Sequence, residues 1–177
     1  MQPIETPKGT VSFRPASFAD VASFRELRLF ALQDAPTAFS GDYAMSVNAP
    51  KSYWENRVKP NEGSIVFFAE NENNLIGTIG ILRGDRPKTR HSAGVWGAYV
   101  RPEWRGFHIA GALIESCIIW AKSRKVVTVK LAVVTSNAAA IRCYEQCGFK
   151  TYGTDPRVIY YDGKFYDEYL MARYINP

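Results

Sequence analysis

Tyr99 to Leu113 reads YVRPEWRGFHIAGAL: an apolar run, a Gly-containing loop that carries Arg105, then an amphipathic stretch from Ile109. A strand that passes through such a loop into a helix gathers unpaired backbone N–H groups and the positive end of the helix dipole at one spot. A guanidinium beside them adds a full charge. This is chemistry suited to a phosphate or pyrophosphate, although many strand-to-helix loops of this kind bind nothing. The spacing is neither GxGxxG nor GxxxxGKS/T, so the loop lacks the glycines of a dinucleotide fold and the lysine of a P-loop. A second segment, Asn137 to Phe149 (NAAAIRCYEQCGF), places a phenol, Tyr144, on a helix with no breaker before Gly148. A phenol is a proton donor at neutral pH.

The elements that must hold these residues follow from pattern. Val11 to Arg14 is a short strand. Ser17-x-x-Asp20 resembles a capping box ahead of a helix whose Val21, Phe24, Leu27 and Ala31 recur at helical spacing and which stops near Pro36. Lys51 to Val58, between Pro50 and Pro60, is a second helix. Ser64 to Ala69 and Leu75 to Leu82 are strands joined by a polar turn, and Gly94 to Val100 is a third sheet segment. Ile109 to Ser123 carries Ala110, Leu113, Ile114, Cys117 and Ala121 on one stripe. Thr128 to Val134 is a strand, Ala138 to Gln146 a helix, and Asp162-Gly163 is a type I′ signal between strands Val158 to Tyr161 and Lys164 to Met171. The unit from Gly94 to Val134 implies one parallel crossover inside an otherwise antiparallel sheet. The fold class is α/β, with a mixed α+β sheet.

A chain of 177 residues, 46% hydrophobic and 22% charged, has the size and composition of one globular domain. The expectation is a single domain over residues 1–177, with residues 1–10 as a flexible lead. No run approaches the ~18 apolar residues of a membrane span, and Met1 to Thr10 has no apolar core for a signal peptide. This predicts a soluble, cytoplasmic protein without a membrane partner. Three cysteines with no CxxC pair suggest core thiols rather than a disulfide framework or metal site. The net charge is +5, and Arg83 to Arg105 holds six basic against two acidic residues. That patch is either a solvated face or a place for an anion such as a nucleotide.

The two chemical segments together resemble the GCN5-related N-acetyltransferase (GNAT) family, in particular a bacterial branch whose substrates are poorly defined. The family's acetyl-CoA loop follows Q/R-x-x-G-x-G/A, and its next helix reads N-x-x-A-x-x-x-Y-x-x-x-G-F. Arg105 and Ala110 match the first pattern; Asn137, Ala140, Tyr144, Gly148 and Phe149 match every position of the second. Leu27 to Ser40 (LRLFALQDAPTAFS) carries the resemblance to the bacterial branch. One position departs: the loop's usual glycine is His108. Glycine there tolerates unusual dihedrals and a close phosphate, whereas histidine keeps the N–H but adds a side chain. A tolerated departure is the favoured reading, and a direct imidazole contact to the pyrophosphate is the other.

The resemblance implies a splayed strand pair with the pantetheine arm of acetyl-CoA, the co-substrate, between them, bonded to main chain around Ala98, Tyr99 and Val100. It implies a pyrophosphate on the N–H groups of Gly106, Phe107, His108, Ile109, Ala110 and Gly111, with Arg105 beside them. Asn137 and Ala140 meet the cofactor arm, and no metal takes part. A primary amine of a small molecule or peptide attacks the thioester directly, and Tyr144 protonates the leaving CoA thiolate. The glutamate that family members often carry before the loop is missing from His91 to Val100. His91, Asp167 and Glu168 are candidates for the base by chemistry alone, and an ordered water is equally open. The acceptor pocket is expected from the first two helices, the Asp34 to Tyr43 connection and the final hairpin, whose Tyr160, Tyr161, Phe165, Tyr166 and Tyr169 are mostly core by default. A homodimer is compatible with all this. Two rival functions are a catalytically silent acyl-CoA sensor and a basic nucleic-acid-binding module; the second has no recognised motif to support it.

Overall fold

The computed structural model describes residues 2–175. In chain order the elements are β1 (Ile4–Thr6), β2 (Gly9–Pro15), α1 (Val21–Asp34), α2 (Tyr43–Val47), α3 (Lys51–Val58), β3 (Ser64–Asn71), β4 (Asn74–Arg83), β5 (Ser92–Val100), α4 (Ile109–Ser123), β6 (Thr128–Val134), α5 (Ala138–Gln146), β7 (Lys150–Tyr161) and β8 (Lys164–Tyr174). They form one eight-stranded sheet in the order β1-β2-β3-β4-β5-β6-β8-β7. Every pairing is antiparallel except β5 with β6, which are joined through α4 as the crossover reading requires. This is the mixed sheet expected from the sequence.

Alternation along the strands decides which layer each residue joins. Ile65, Phe67 and Ala69 of β3 pack in the core under α4, with Leu113, Ile114, Cys117 and Ile118. Val66 and Phe68, one residue out of step, face the other way and pack with Phe24 and Leu27 of α1 and Trp54 and Val58 of α3. The sheet is therefore covered on both faces between β2 and β5. Asp20 accepts hydrogen bonds from the N–H and hydroxyl of Ser17, the capping-box half of the expectation, and also pairs with Arg14 at 2.8 Å.

Three parts differ from the sequence reading. Within the expected lead, residues 4–10 are not free: Ile4 faces Val11 in a β1–β2 hairpin, and Val11 is fully buried. A short helix, α2, occupies part of the connection after Asp34, and Asp42 caps it by accepting from the Met45 N–H. The last two strands are also longer than expected, because register shifts at Thr151/Gly153 and Asp155/Ile159 let β7 continue past residues that break a regular ladder. The I′ signal is realised, with φ of 48° at Asp162 and 73° at Gly163. Tyr160, Tyr161 and Phe165 at this hairpin's tip are exposed rather than core, since β7 is the sheet edge beyond the helices. Tyr160 and Phe165 cover each other instead, with ring centroids 4.8 Å apart.

Candidate active site

β5 creates the site by leaving its neighbour. It pairs with β6 only through Ser92 to Gly94 against Thr128 to Lys130. Beyond that point a bulge takes over: Thr78 of β4 faces Tyr99 while Gly80 faces Trp96, so Gly97 and Ala98 share one partner position. Gly97 has φ 65°, a left-handed value that glycine adopts without strain. A bulge of this kind bends and twists its strand. The result is a slot of about 90 Å³ between the diverging strands, walled by Val95, Trp96 and Ala98 on one side and Leu131 to Val134 on the other. Trp96 fits as a wall because β4 has no side chain beneath it: a Cβ at Gly80 would run into the indole.

Asn137, Ala140 and Tyr144 of α5 and Phe39 of the α1–α2 connection complete the slot. Asn137 caps α5 by accepting from the Ala140 N–H at 3.2 Å, which commits its side-chain oxygen and leaves its amide NH2 group. Ala140 and Tyr144 are four residues apart and so lie on one helix face. Tyr144 leans on Phe149 with centroids 6.2 Å apart, and burial, followed by the neighbouring cysteine thiols, pushes its phenol well above the ordinary tyrosine range. It stays protonated throughout the working pH range, so the phenol is available as a hydrogen-bond and proton donor rather than as a base.

The loop from Arg105 to Gly111 lies outside the slot, where β5 runs into α4. His108 occupies the N-cap position of α4 with φ 60° and ψ 13°, and makes no side-chain cap. The first turn of α4 therefore presents uncapped N–H groups, the arrangement that favours an anion. His108 adopts the left-handed conformation that the family's glycine provides, at a cost of ~1–2 kcal/mol for a side-chain-bearing residue. His108→Gly is expected to raise stability by about 1 kcal/mol in thermal unfolding and to leave acetyl-CoA affinity equal or tighter by calorimetry. A large loss of affinity would place the imidazole on the phosphates.

Arg105 is less free than its sequence position suggests. Its Nε donates to the Val100 carbonyl at 3.0 Å and its Nη2 to Asp34 at 2.6 Å, while the Tyr99 hydroxyl donates to the same Asp34 oxygen at 2.9 Å. Tyr99 thus turns its side chain toward α1, and only its main chain runs near the slot. The network ties the loop to the end of α1 and fixes the strand end between them. Arg101 is committed as well, to the Leu75 carbonyl and to Glu26. These two members of the basic patch are therefore structural.

Of the three candidate bases the structure separates one. His91 sits near the start of β5, in a different depression from the slot. Asp167 accepts from the Arg157 N–H at 2.8 Å and so pins the β7 irregularity. Glu168 lies opposite Val134, a slot wall, in the β6–β8 ladder. Tyr169, the next residue, packs on the α4 core, so Glu168 belongs to the opposite face, the one shared with α1 and Trp96. Burial, followed by Asp155, raises the Glu168 carboxyl above the usual glutamate range.

A bulged strand diverging from its parallel neighbour, an uncapped helix N-terminus at its end and a half-buried phenol across the gap suit an extended acyl-thioester arm with a pyrophosphate tail. The slot edges offer unpaired strand backbone for the arm's amides, and Ala140 leaves room for it. These features define an acyl-CoA-dependent acyltransferase. The model of the acetyltransferase (GNAT) family matches residues 28–149, and the chain belongs to that family. It is 31% identical over 124 residues to the L-amino acid N-acetyltransferase AaaT of Escherichia coli K12, covering 68% of this chain and 74% of that one. Its fold is similar to a GNAT-family acetyltransferase of Streptococcus pneumoniae (TM-score 0.82, 24% identity, 94% of this chain and 99% of that one). It is also similar to yncA of Salmonella typhimurium, solved with its cofactor acetyl-CoA (TM-score 0.80, 21% identity, 94% and 95% covered). The protein is an acetyl-CoA-dependent N-acetyltransferase. Among the described residues no helix is long and apolar enough to cross a membrane.

Proposed function

We propose that the slot transfers acetyl to the α-amine of a free amino acid or a closely related small molecule, with Tyr144 as the acid and Glu168 as the base. The observation that carries this reading is the convergence of Ala98, Asn137, Ala140, Tyr144 and Val134 on one slot, with Glu168 beside Val134. The amino-acid acceptor is supported by the relative that acts on L-amino acids.

Acetyl-CoA brings the activated acyl group, and its arm rests on the main chain of Ala98 to Val100 with Asn137 and Ala140 opposite. Its pyrophosphate rests on the N–H groups of residues 106–111, and Arg105 holds that loop through Asp34 and Val100. The acceptor enters as an ammonium ion. An α-amine with pKa near 8 loses its proton at pH 7 for about 1–1.5 kcal/mol, a lysine-type amine for roughly 4–5. Glu168 takes this proton, directly or through a water. As the amine nitrogen bonds to the acyl carbon and the C–S bond breaks, Tyr144 gives its proton to the sulfur, and the second proton shed by the nitrogen as it becomes an amide restores the phenol through water.

The test mixes the protein with acetyl-CoA and a panel of amines and follows free thiol. Thiol release is expected with free amino acids and not with acetyl-CoA alone. Release only with polyamines or peptides would overturn the acceptor assignment, and acetyl-CoA binding with no release for any amine would favour a silent sensor.

A further inference from the structure

Arg28 of α1 is an unusual residue in this site. Its guanidinium stacks on Phe39, 4.1 Å from the ring centre, and its Nη1 is buried without a hydrogen-bond partner. That same Nη1 would lie 3.8 Å from a Cβ at Gly97. Phe39 and Gly97 both line the slot. Arg57 of α3 behaves alike beside the same β5 wall, with its guanidinium 5.3 Å from the centre of Trp96 and 4.6 Å from that of Tyr53. Neither arginine has a carboxylate partner among the ion pairs of the described residues.

Two neighbouring cations, one with an Nη1 that is buried and unpartnered, are costly by themselves. Burial and then the charge of Arg57 bring the Arg28 guanidinium down to about 10, which still leaves it fully charged near neutral pH. A purely structural arginine in a protein interior is normally paired, because an unpaired donor loses its hydration without replacement. Asp34, the acidic residue at the C-terminal end of α1, is occupied by Tyr99 and Arg105. What completes the Arg28 donor set is then an anion that arrives with the acceptor.

We infer that Arg28, seconded by Arg57, is a specificity-determining anchor for a carboxylate carried by the acceptor amine. The inference rests on the amino-acid reading above and adds the group by which the acceptor is recognised. Arg28 touches no reacting atom. It selects amines that bear a carboxylate and rejects those in which that carboxylate is an amide or has been lost, because a guanidinium fork matches two carboxylate oxygens and an amide presents only one acceptor.

The experiment uses the full chain with each L-amino acid that supports thiol release, its carboxamide and its decarboxylated amine. Wild type is expected to favour the acid by roughly 10- to 100-fold in kcat/KM. Arg28→Gln is expected to remove that preference through KM, lowering the acid by the same factor while moving the carboxamide less than about threefold. Arg28→Lys should recover part of the loss, and Arg57→Gln should show a smaller shift in the same direction. Equal losses on acid and carboxamide, or a wild type indifferent between them, would overturn the inference while the transferase reading stands. Calorimetry with the products, N-acetyl-L-amino acids and their carboxamides, needs no turnover. Acid-selective binding lost in Arg28→Gln supports the anchor even if no amine is acetylated, whereas unselective binding or none overturns it.

Discussion

Tyr144→Phe is expected to bind acetyl-CoA as tightly as wild type and to turn over ~10²- to 10⁴-fold more slowly in single-turnover acetyl transfer. The substitution keeps the ring against Phe149 and removes only the hydroxyl, so fold and slot shape are preserved. The magnitude depends on the leaving group. A CoA thiol with pKa near 8.5, taking free cysteine as a guide, leaves fairly well as a thiolate, which favours the lower end. The raised phenol pKa points the same way, since a weaker acid is a poorer proton donor to a thiolate. The position of Tyr144 also predicts where the loss appears: in the chemical step, with KM for the amine little changed. Wild-type single-turnover rates in a mutant folded by circular dichroism would make Tyr144 a packing residue.

Much of this site could be read in the sequence because its parts are local. The loop and the Asn137–Phe149 helix each carry their chemistry within one strand-to-helix unit, so residue type and spacing are enough to find them. What stayed hidden depends on pairing between distant segments. Arg105 reads as a free charge until Asp34, 71 positions earlier, is seen to hold it. Arg28 falls on a helix where a charged residue normally marks a solvated face, and only packing against Phe39 and Gly97 shows otherwise. His91, Asp167 and Glu168 are candidates by chemistry alone, and only the fold separates them: His91 lies in another depression, Asp167 is committed to the Arg157 N–H, and the β6–β8 register sets Glu168 beside the slot. The tip aromatics of the last hairpin had the alternation of a buried strand, but alternation cannot tell that no helix covers the sheet's edge. The β1–β2 hairpin is illegible for the opposite reason: IETPKGT is too short and polar to carry a strand pattern, and it is ordered through its pairing with β2.

Glu168→Gln carries the second large effect, and its sign follows from the direction of one titration. In the folded protein the carboxyl is raised above its ordinary value by burial and by Asp155, so the carboxylate is a stronger base than a solvated glutamate. Activity should fall as pH drops through that raised value, since protonation removes the base. In Glu168→Gln this acid limb should vanish, and the rate should instead climb about tenfold per pH unit until the amine's own pKa is passed. At neutral pH the loss is expected to be ~10²-fold or more, and it should shrink steadily toward alkaline pH. Stability should move the other way. A carboxyl whose folded pKa lies above its unfolded value stabilises most below the unfolded value and loses that contribution as pH rises through the folded one. At neutral pH the ionised Glu168 is thus a net cost to the fold, and the neutral glutamine should unfold at an equal or higher temperature than wild type. Lower activity with undiminished stability is what distinguishes a group held in place for chemistry from one held for packing. A parallel loss of both, or a pH–rate profile unchanged from wild type, would return the base to solvent water.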